Sequence, residues 1–241
     1  MEMLEIKTIF TLNVAGFSIP LTETVIISWV VMLIIIIASL LLVHRLQEVP
    51  SGPQAILETG VEFLNSFTNN QLGSFSKVLG PYIGSLFLFL LVANIIPVLS
   101  PLPLKAFGHV FTPPFEIHPP TKDINVTAPL AVITITLVIV CGLSARGFVG
   151  WLKSFLQPLP VMLPFNIMDY GTRLISLALR LFGNILGGFV LMSMIEGALP
   201  IALPVVASLY FDFFDGIVQA GIFVFLTTLY ISEAVKIETG D

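Results

Sequence analysis

The sequence contains few charged residues. Asp, Glu, Lys and Arg make up only 10% of its 241 residues, whereas a soluble domain carries about 25%. Hydrophobic residues make up 56% of the chain, and the mean hydropathy is +1.01. This composition excludes an ordinary soluble domain and predicts an integral membrane protein.

Cysteine and catalytic motifs are also scarce or missing. Cys141 is the one cysteine, so the chain cannot form an internal disulfide. The net charge of −5 argues against nucleic acid as a partner. The sequence has no P-loop, no metal-binding cluster and no nucleophile–base pattern, and His109 and His118 are isolated. We therefore predict no catalytic residues, no bound metal and no cofactor.

Long runs without ionisable residues predict the membrane-spanning helices. Residues 24–43 form the first span, because twenty residues at a rise of 1.5 Å reach about 30 Å, the thickness of the hydrocarbon core. Further spans are predicted at 78–100 and 124–145. The N-terminus, MEMLEIKTIF, lacks the basic region of a signal peptide, so the first span should remain in the mature protein.

The segment 53–71 is too polar to span the membrane. Six apolar or small residues share one face of the predicted helix: Ile56, Leu57, Gly60, Phe63, Leu64 and Phe67. This pattern predicts an amphipathic helix that lies on the membrane surface. The alternative is a helix packed on a partner subunit.

Two long apolar segments follow, at 166–198 and 201–235, and each exceeds the roughly 20 residues that one perpendicular span needs. Because tilt accommodates excess length, we expect a hairpin of two strongly tilted helices. The predicted fold is thus an all-α integral membrane protein with a single membrane domain over residues 1–241. Lys and Arg are slightly more frequent on the side that follows the first span, which favours an external N-terminus.

The stretch LALRLFGNILGG, residues 177–188, places Arg180 inside an apolar helical pattern. A charge at such a depth costs about 2.5–3.5 kcal/mol and is a functional candidate. Asn184 and Gly187 lie within about 40° of Arg180 around the helix, and Gly183 and Gly187 have the spacing that permits close helix approach. No acid lies three or four residues from Arg180. The alternative is a permanent pair with an acid elsewhere in the subunit.

The other charged residues of these two segments fall into two groups. Asp169 and Arg173 are spaced as an i,i+4 pair and are interpreted as structural. Asp212, Asp215 and Gln219 occupy one face of the second helix, where they would form a hydrated relay for a cation or proton. Alternatively, the two aspartates are merely solvated near the interface.

Four motifs together resemble subunit a of the F-type rotary ATP synthase: SLALRLFGNILGG, IVQAGIFVFLTTLYIS, PPTKDINVTAPLAV and QPLPVMLPFNI. The resemblance covers most of the chain in the right order. It implies a non-catalytic stator subunit in the lipid bilayer, with the c-ring and the peripheral stalk subunit b as partners. Two offset half-channels would carry H⁺ or Na⁺ to the c-ring carboxylate. Arg180 matches the essential arginine of the family, Asn184 its following asparagine and Gln219 the glutamine of the last helix.

The sequence departs from the family nine residues after Arg180, where many members have an acid and this chain has Phe189. We expect Glu196, Asp212 and Asp215 to replace that acid in the outer half-channel. Two other functions would also fit these residues: a stand-alone secondary transporter and a non-conducting membrane-assembly protein. The chain shows no presequence, so a bacterial plasma membrane is the expected location.

Overall fold

The structure, a computed structural model, describes residues 8–14, 17–43, 52–99, 104–106, 109–111, 119–156, 159–198, 206–207 and 209–236. Its long helices are α1 (Glu23–Val43), α2 (Pro53–Leu72), α3 (Ser76–Ile95), α4 (Ile124–Ser154), α5 (Leu163–Ala198) and α6 (Asp215–Val235). Five helical stretches are long and apolar enough to cross a membrane: Glu23–Val43, Gln54–Ile95, Ile124–Ser154, Pro160–Ile195 and Asp215–Val235. The predicted helical membrane fold is therefore confirmed.

Two short antiparallel hairpins accompany the helices and were not predicted from the sequence. Strand β1 (Thr8–Val14) pairs with β2 (Phe17–Thr22), and β3 (Leu104–Ala106) pairs with β4 (His109–Phe111). The sequences of β1 and β2 are rich in the β-branched and aromatic residues that favour strands. Because 56% of the chain is hydrophobic, the alternation of apolar and polar residues in these strands does not stand out from the rest of the sequence.

Helices α2 and α3 are joined by a single 3₁₀ turn, Gly73–Phe75. Gly73 begins this turn with a φ of 54°, a conformation that glycine adopts at no steric cost. On the predicted apolar face of α2, Ile56 is 76% exposed and Phe63 is 70% exposed. This face is available to lipid or to a partner subunit, and its place on the membrane surface stays a prediction.

Helix α4 is kinked at Gly147, where φ is 68°. The predicted third span ends at residue 145, two residues before this kink, but the helical segment continues to Ser154. Trp151, beyond the kink, packs back on α4, because a Cβ added to Gly142 would lie 3.2 Å from its ring. Glycine at position 147 thus permits the kink, and glycine at position 142 permits the close contact with Trp151.

Helix α5 has 36 residues, which at 1.5 Å per residue is about 54 Å and far exceeds the hydrocarbon thickness. It begins at Leu163, three residues before the predicted start of the hairpin. Helix α6 follows a π-helical turn, Leu209–Phe214, whereas residues 199–205 and 208 lie outside the described residues. The strong tilt of the hairpin stays a prediction.

The chain divides into two compact units that both include parts of α3, α4, α5 and α6. Unit 1 comprises residues 1–45, 88–127 and 181–220, and unit 2 comprises residues 46–87, 128–180 and 221–241. Unit 1 has a small core of Val31, Ala93 and Ile96, and unit 2 has a core formed by Leu72, Leu79, Val138, Cys141 and Ile231.

Candidate functional site

Arg180 lies in unit 2, within the continuous helix α5. Its Nη2 donates a hydrogen bond to Ser176 Oγ over 3.4 Å, which is long for such a bond. Among the residues that the structure describes, Arg180 forms no ion pair with a carboxylate. The positive charge of Arg180 therefore has little compensation within the described part of the subunit.

The next turns of α5 are open. A Cβ added to Gly183 or to Gly187 would meet no described atom within 4 Å, and Asn184 is exposed. The absence of side chains at these two positions leaves the helix backbone accessible. Another helix could therefore approach this part of α5 closely.

Gln219, on α6 in unit 1, is only 4% exposed. Its Nε2 donates to Asp215 Oδ1 over 3.4 Å, so the amide and the acid of the predicted relay are in contact. Asp215 is half-buried. The side chains of Glu196, Phe189 and Asp212 lie outside the described part of the structure, and their predicted roles stay predictions.

A buried amide lies beside this pair within unit 1 and was not singled out from the sequence. Asn94 is 2% exposed; its Oδ1 accepts a hydrogen bond from Thr121 Oγ1 over 2.6 Å, and its Nδ2 donates to the carbonyl of Gly216 over 3.5 Å. A Cβ on Gly216 would lie 3.1 Å from Asn94 Cβ, so the glycine permits this close packing. The only sequence signal for this site is an asparagine in an apolar run, LVANIIP.

Asp123 is a second buried polar residue of unit 1, with 1% of its surface exposed. Its carboxylate accepts hydrogen bonds from Thr24 Oγ1 at 2.8 Å and from the backbone and side-chain nitrogens of Asn125 at 2.9 Å. It immediately precedes α4, so its carboxylate caps the backbone N–H of Asn125 in the first turn of that helix and attaches the helix to α1. We interpret Asp123 as structural.

Arg173, in unit 2, is held by two carboxylates. Its Nη2 lies 2.6 Å from Asp169 Oδ2, and its Nη1 lies 2.6 Å from Glu233 Oε2 on α6. Its Cζ also lies 4.8 Å from the centre of the Tyr230 ring, within the range of a cation–π contact. The Asp169 contact has the predicted i,i+4 spacing, whereas Glu233 is a partner that local spacing could not indicate.

A polar cavity of about 160 Å³ surrounds this ion pair in unit 2. Its lining includes Arg146, Trp151, Asn166, Asp169, Arg173 and Glu233. Since a water molecule needs at least about 10–15 Å³, the cavity has room for several. The buried Arg146 Nε and Trp151 Nε1 have no hydrogen-bond partner within the described ranges, and such waters would satisfy them.

The fold and these charged groups define a helical multi-pass membrane protein whose longest described helix has one arginine held by carboxylates and one that is not. The described residues include no group of three or more His, Cys, Asp or Glu that could hold a metal ion. This class includes both transporters and subunits of larger membrane complexes, and comparison with known proteins distinguishes between them.

Residues 25–232 match the model of the family described as ATP synthase A chain. The chain is also 36% identical over 226 residues to "ATP synthase subunit a, sodium ion specific" of Propionigenium modestum, an alignment that covers 92% of this chain and 76% of the relative. The chain therefore belongs to the ATP synthase A chain family.

This family assignment confirms the resemblance deduced from the sequence motifs. The chain is thus an ion-translocating, non-catalytic membrane subunit of the ATP synthase complex, with the c-ring as its partner. Of the three functions that fit the sequence, the assignment selects this one over a stand-alone transporter or an assembly protein.

Proposed function

We propose that Arg180 separates two offset half-channels and attracts the ionised carboxylate of each passing c subunit. The observation that carries this proposal is the environment of Arg180, whose described polar contact is a 3.4 Å bond to the neutral hydroxyl of Ser176. A cation in an apolar helix costs several kcal/mol unless it finds a compensating anion. The c-ring carboxylate would supply that anion from outside the subunit.

The need to load each c-ring carboxylate before it leaves the subunit follows from the cost of charge in lipid. A protonated or ion-loaded c-ring carboxylate can face hydrocarbon, but a bare carboxylate cannot. Arg180 would hold the bare carboxylate at the subunit interface until it reloads from the other half-channel. The permanent positive charge of the guanidinium would also block a direct leak of cations between the half-channels.

The residues near Arg180 along α5 would make this approach possible. Gly183 and Gly187 leave open space where a c-subunit helix would come close. Asn184 is exposed and would hydrate the same region, while Gln219, in contact with Asp215, would form part of the route to the ring. We further propose that the peripheral stalk subunit b fixes this subunit against rotation.

The coupling ion would be H⁺ or Na⁺. The relative from Propionigenium modestum is described as sodium ion specific, which makes Na⁺ a direct candidate for this chain. ATP-driven ²²Na⁺ uptake into membrane vesicles tests this possibility. Uptake that an uncoupler does not abolish identifies Na⁺, whereas acidification without ²²Na⁺ uptake identifies H⁺.

We also propose that Glu196, Asp212 and Asp215 replace the acid that is missing at position 189, where this chain has phenylalanine. We predict that Glu196→Gln and Asp212→Asn each lower ATP-driven ion pumping, and that the double variant lowers it further, because fewer carboxylates remain to pass the ion. Initial pumping rates per assembled complex provide the measurement. Wild-type rates in the double variant would refute this route.

The central test is Arg180→Ala in the intact ATP synthase. We expect pumping to fall to background in inverted membrane vesicles, because nothing then attracts the bare carboxylate or blocks the leak. The amount of complex that copurifies with the c-ring should stay unchanged, since the described residues form only one long hydrogen bond with Arg180. Normal pumping by this variant would contradict the proposed function.

A further inference from the structure

We infer that Glu233 is a positioning residue whose ion pair with Arg173 holds helix α5, and with it Arg180, in place against α6. This inference rests on the proposed function of Arg180. All of its contacts lie within unit 2, which contains residues 128–180 and 221–241.

The two acids beside Arg173 have different structural consequences. Asp169 precedes Arg173 by one turn of α5, so its 2.6 Å contact links one part of a helix to another. Glu233 lies near the end of α6, so its 2.6 Å contact links two helices. Tyr230 adds a second contact between the same helices, because its ring lies 4.8 Å from Arg173 Cζ.

The end of α6 that supplies Glu233 is itself anchored. Arg146 Nη2, from α4, donates to the backbone carbonyl of Glu233 over 3.3 Å and also to that of Lys236. Ser232 Oγ donates to the carbonyl of Gln71 in α2 over 2.8 Å. A cation that binds the last carbonyls of a helix stabilises its C-terminus. The backbone that carries the Glu233 carboxylate is therefore held in place by contacts with α4 and α2.

Much of the first part of α5 is exposed. Phe165, Ile167 and Met168 are each more than half exposed, at 62%, 57% and 61%. Contacts of this part include a hydrogen bond from Asn166 Nδ2 to the carbonyl of Phe155 (2.8 Å), just after α4, and the ring of Tyr170, which stacks on Phe155 and packs against the core of unit 2. The ion pair with Glu233 adds the polar link to α6.

Arg173 and Arg180 are close enough for this link to matter. They are seven residues apart in a continuous helix, which is about 10 Å along the axis and about 20° around it. A shift of Arg173 therefore moves Arg180 nearly as much. A displacement of about 1 Å in a functional group can lower a rate by up to about 100-fold.

The experiment compares Glu233→Gln with Asp169→Asn in the whole ATP synthase in inverted vesicles. Both changes neutralise one of the two carboxylates that pair with Arg173, but only Glu233→Gln weakens the contact between helices. The measurement is the initial rate of ATP-driven ion pumping per assembled complex. We expect about a tenfold decrease for Glu233→Gln, less than about a twofold decrease for Asp169→Asn, and substantial recovery for Glu233→Asp.

Three results would overturn the inference. Equal decreases in the Gln and Asn variants would assign the effect to local charge, and normal pumping by Glu233→Gln would show that the link is dispensable. A loss of assembled complex that fully accounts for the lost pumping would make Glu233 purely structural. Arg180→Ala in the same vesicles separates the two proposals, since normal pumping there refutes the proposed function itself.

Discussion

The two arginines of helix α5 differ sharply in their surroundings. Arg173 contacts two carboxylates at 2.6 Å and lies over the ring of Tyr230. Arg180, two turns further along, has within the described residues only a 3.4 Å bond to a hydroxyl. Of the two arginines on this helix, Arg173 thus has its charge paired with carboxylates, whereas the charge of Arg180 is available for a carboxylate of a partner.

This contrast explains how one subunit can place two cations in a stretch apolar enough to span a membrane. Each charge needs compensation of several kcal/mol in such a stretch. Arg173 obtains it from Asp169 and Glu233, so its charge is neutralised within the subunit. Arg180 can obtain it from a partner that binds and leaves, as the mechanism of a rotary ring requires.

Lysine substitutions at both positions sharpen the comparison and give the largest expected difference. We predict that Arg180→Lys lowers ion pumping by more than about 100-fold, because a desolvated lysine can lose its charge and cannot bind a carboxylate with two parallel hydrogen bonds. Arg173→Lys should lower pumping by only about threefold, since one ion pair with Asp169 or Glu233 remains possible. Initial rates of ATP-driven pumping provide the measurement.

The amount of c-ring that copurifies with each lysine variant is the control for assembly. If both variants lose pumping to the same extent, the two arginines have equivalent roles and the contrast between them is not functional. If Arg173→Lys is the more damaged of the two, Arg173 rather than Arg180 interacts with the ring.

Contacts within one helix could be predicted from the sequence, because helical spacing alone determines them. The i,i+4 spacing of Asp169 and Arg173 is one example, and the lack of an acid near Arg180 on its own helix is another. The presence of helices long and apolar enough to cross a membrane was predictable for a similar reason, since bilayer thickness sets the length that a span needs. None of these predictions needs knowledge of how the helices pack.

Contacts between helices could not be predicted in this way. Glu233 meets Arg173 across 60 residues of sequence, and Asn94 meets Thr121 across 27. Such pairs depend on which helices are neighbours and on their register, which a single sequence does not specify. The kink at Gly147 was not predicted because the predicted span ends at residue 145, before the charged Arg146, whereas the helical segment continues to Ser154.

The glycines after Arg180 provide a smaller test of the same contrast. We predict that Gly187→Leu lowers pumping by about fivefold, because a side chain in the open space beside α5 keeps the partner helix of the c-ring away from Arg180. Leucine has a higher helix propensity than glycine by almost 1 kcal/mol, so a weaker α5 would not explain the loss.

Gly171 offers a matched control on the same helix. A Cβ there would also meet no described atom within 4 Å, but Gly171 lies about 180° around the helix from Arg180. Gly171→Leu should therefore leave pumping within about twofold of wild type, as an exposed substitution does. Equal losses at Gly187 and Gly171 would mean that α5 tolerates no added bulk on either side, and that close approach to the face of Arg180 does not explain the loss at Gly187.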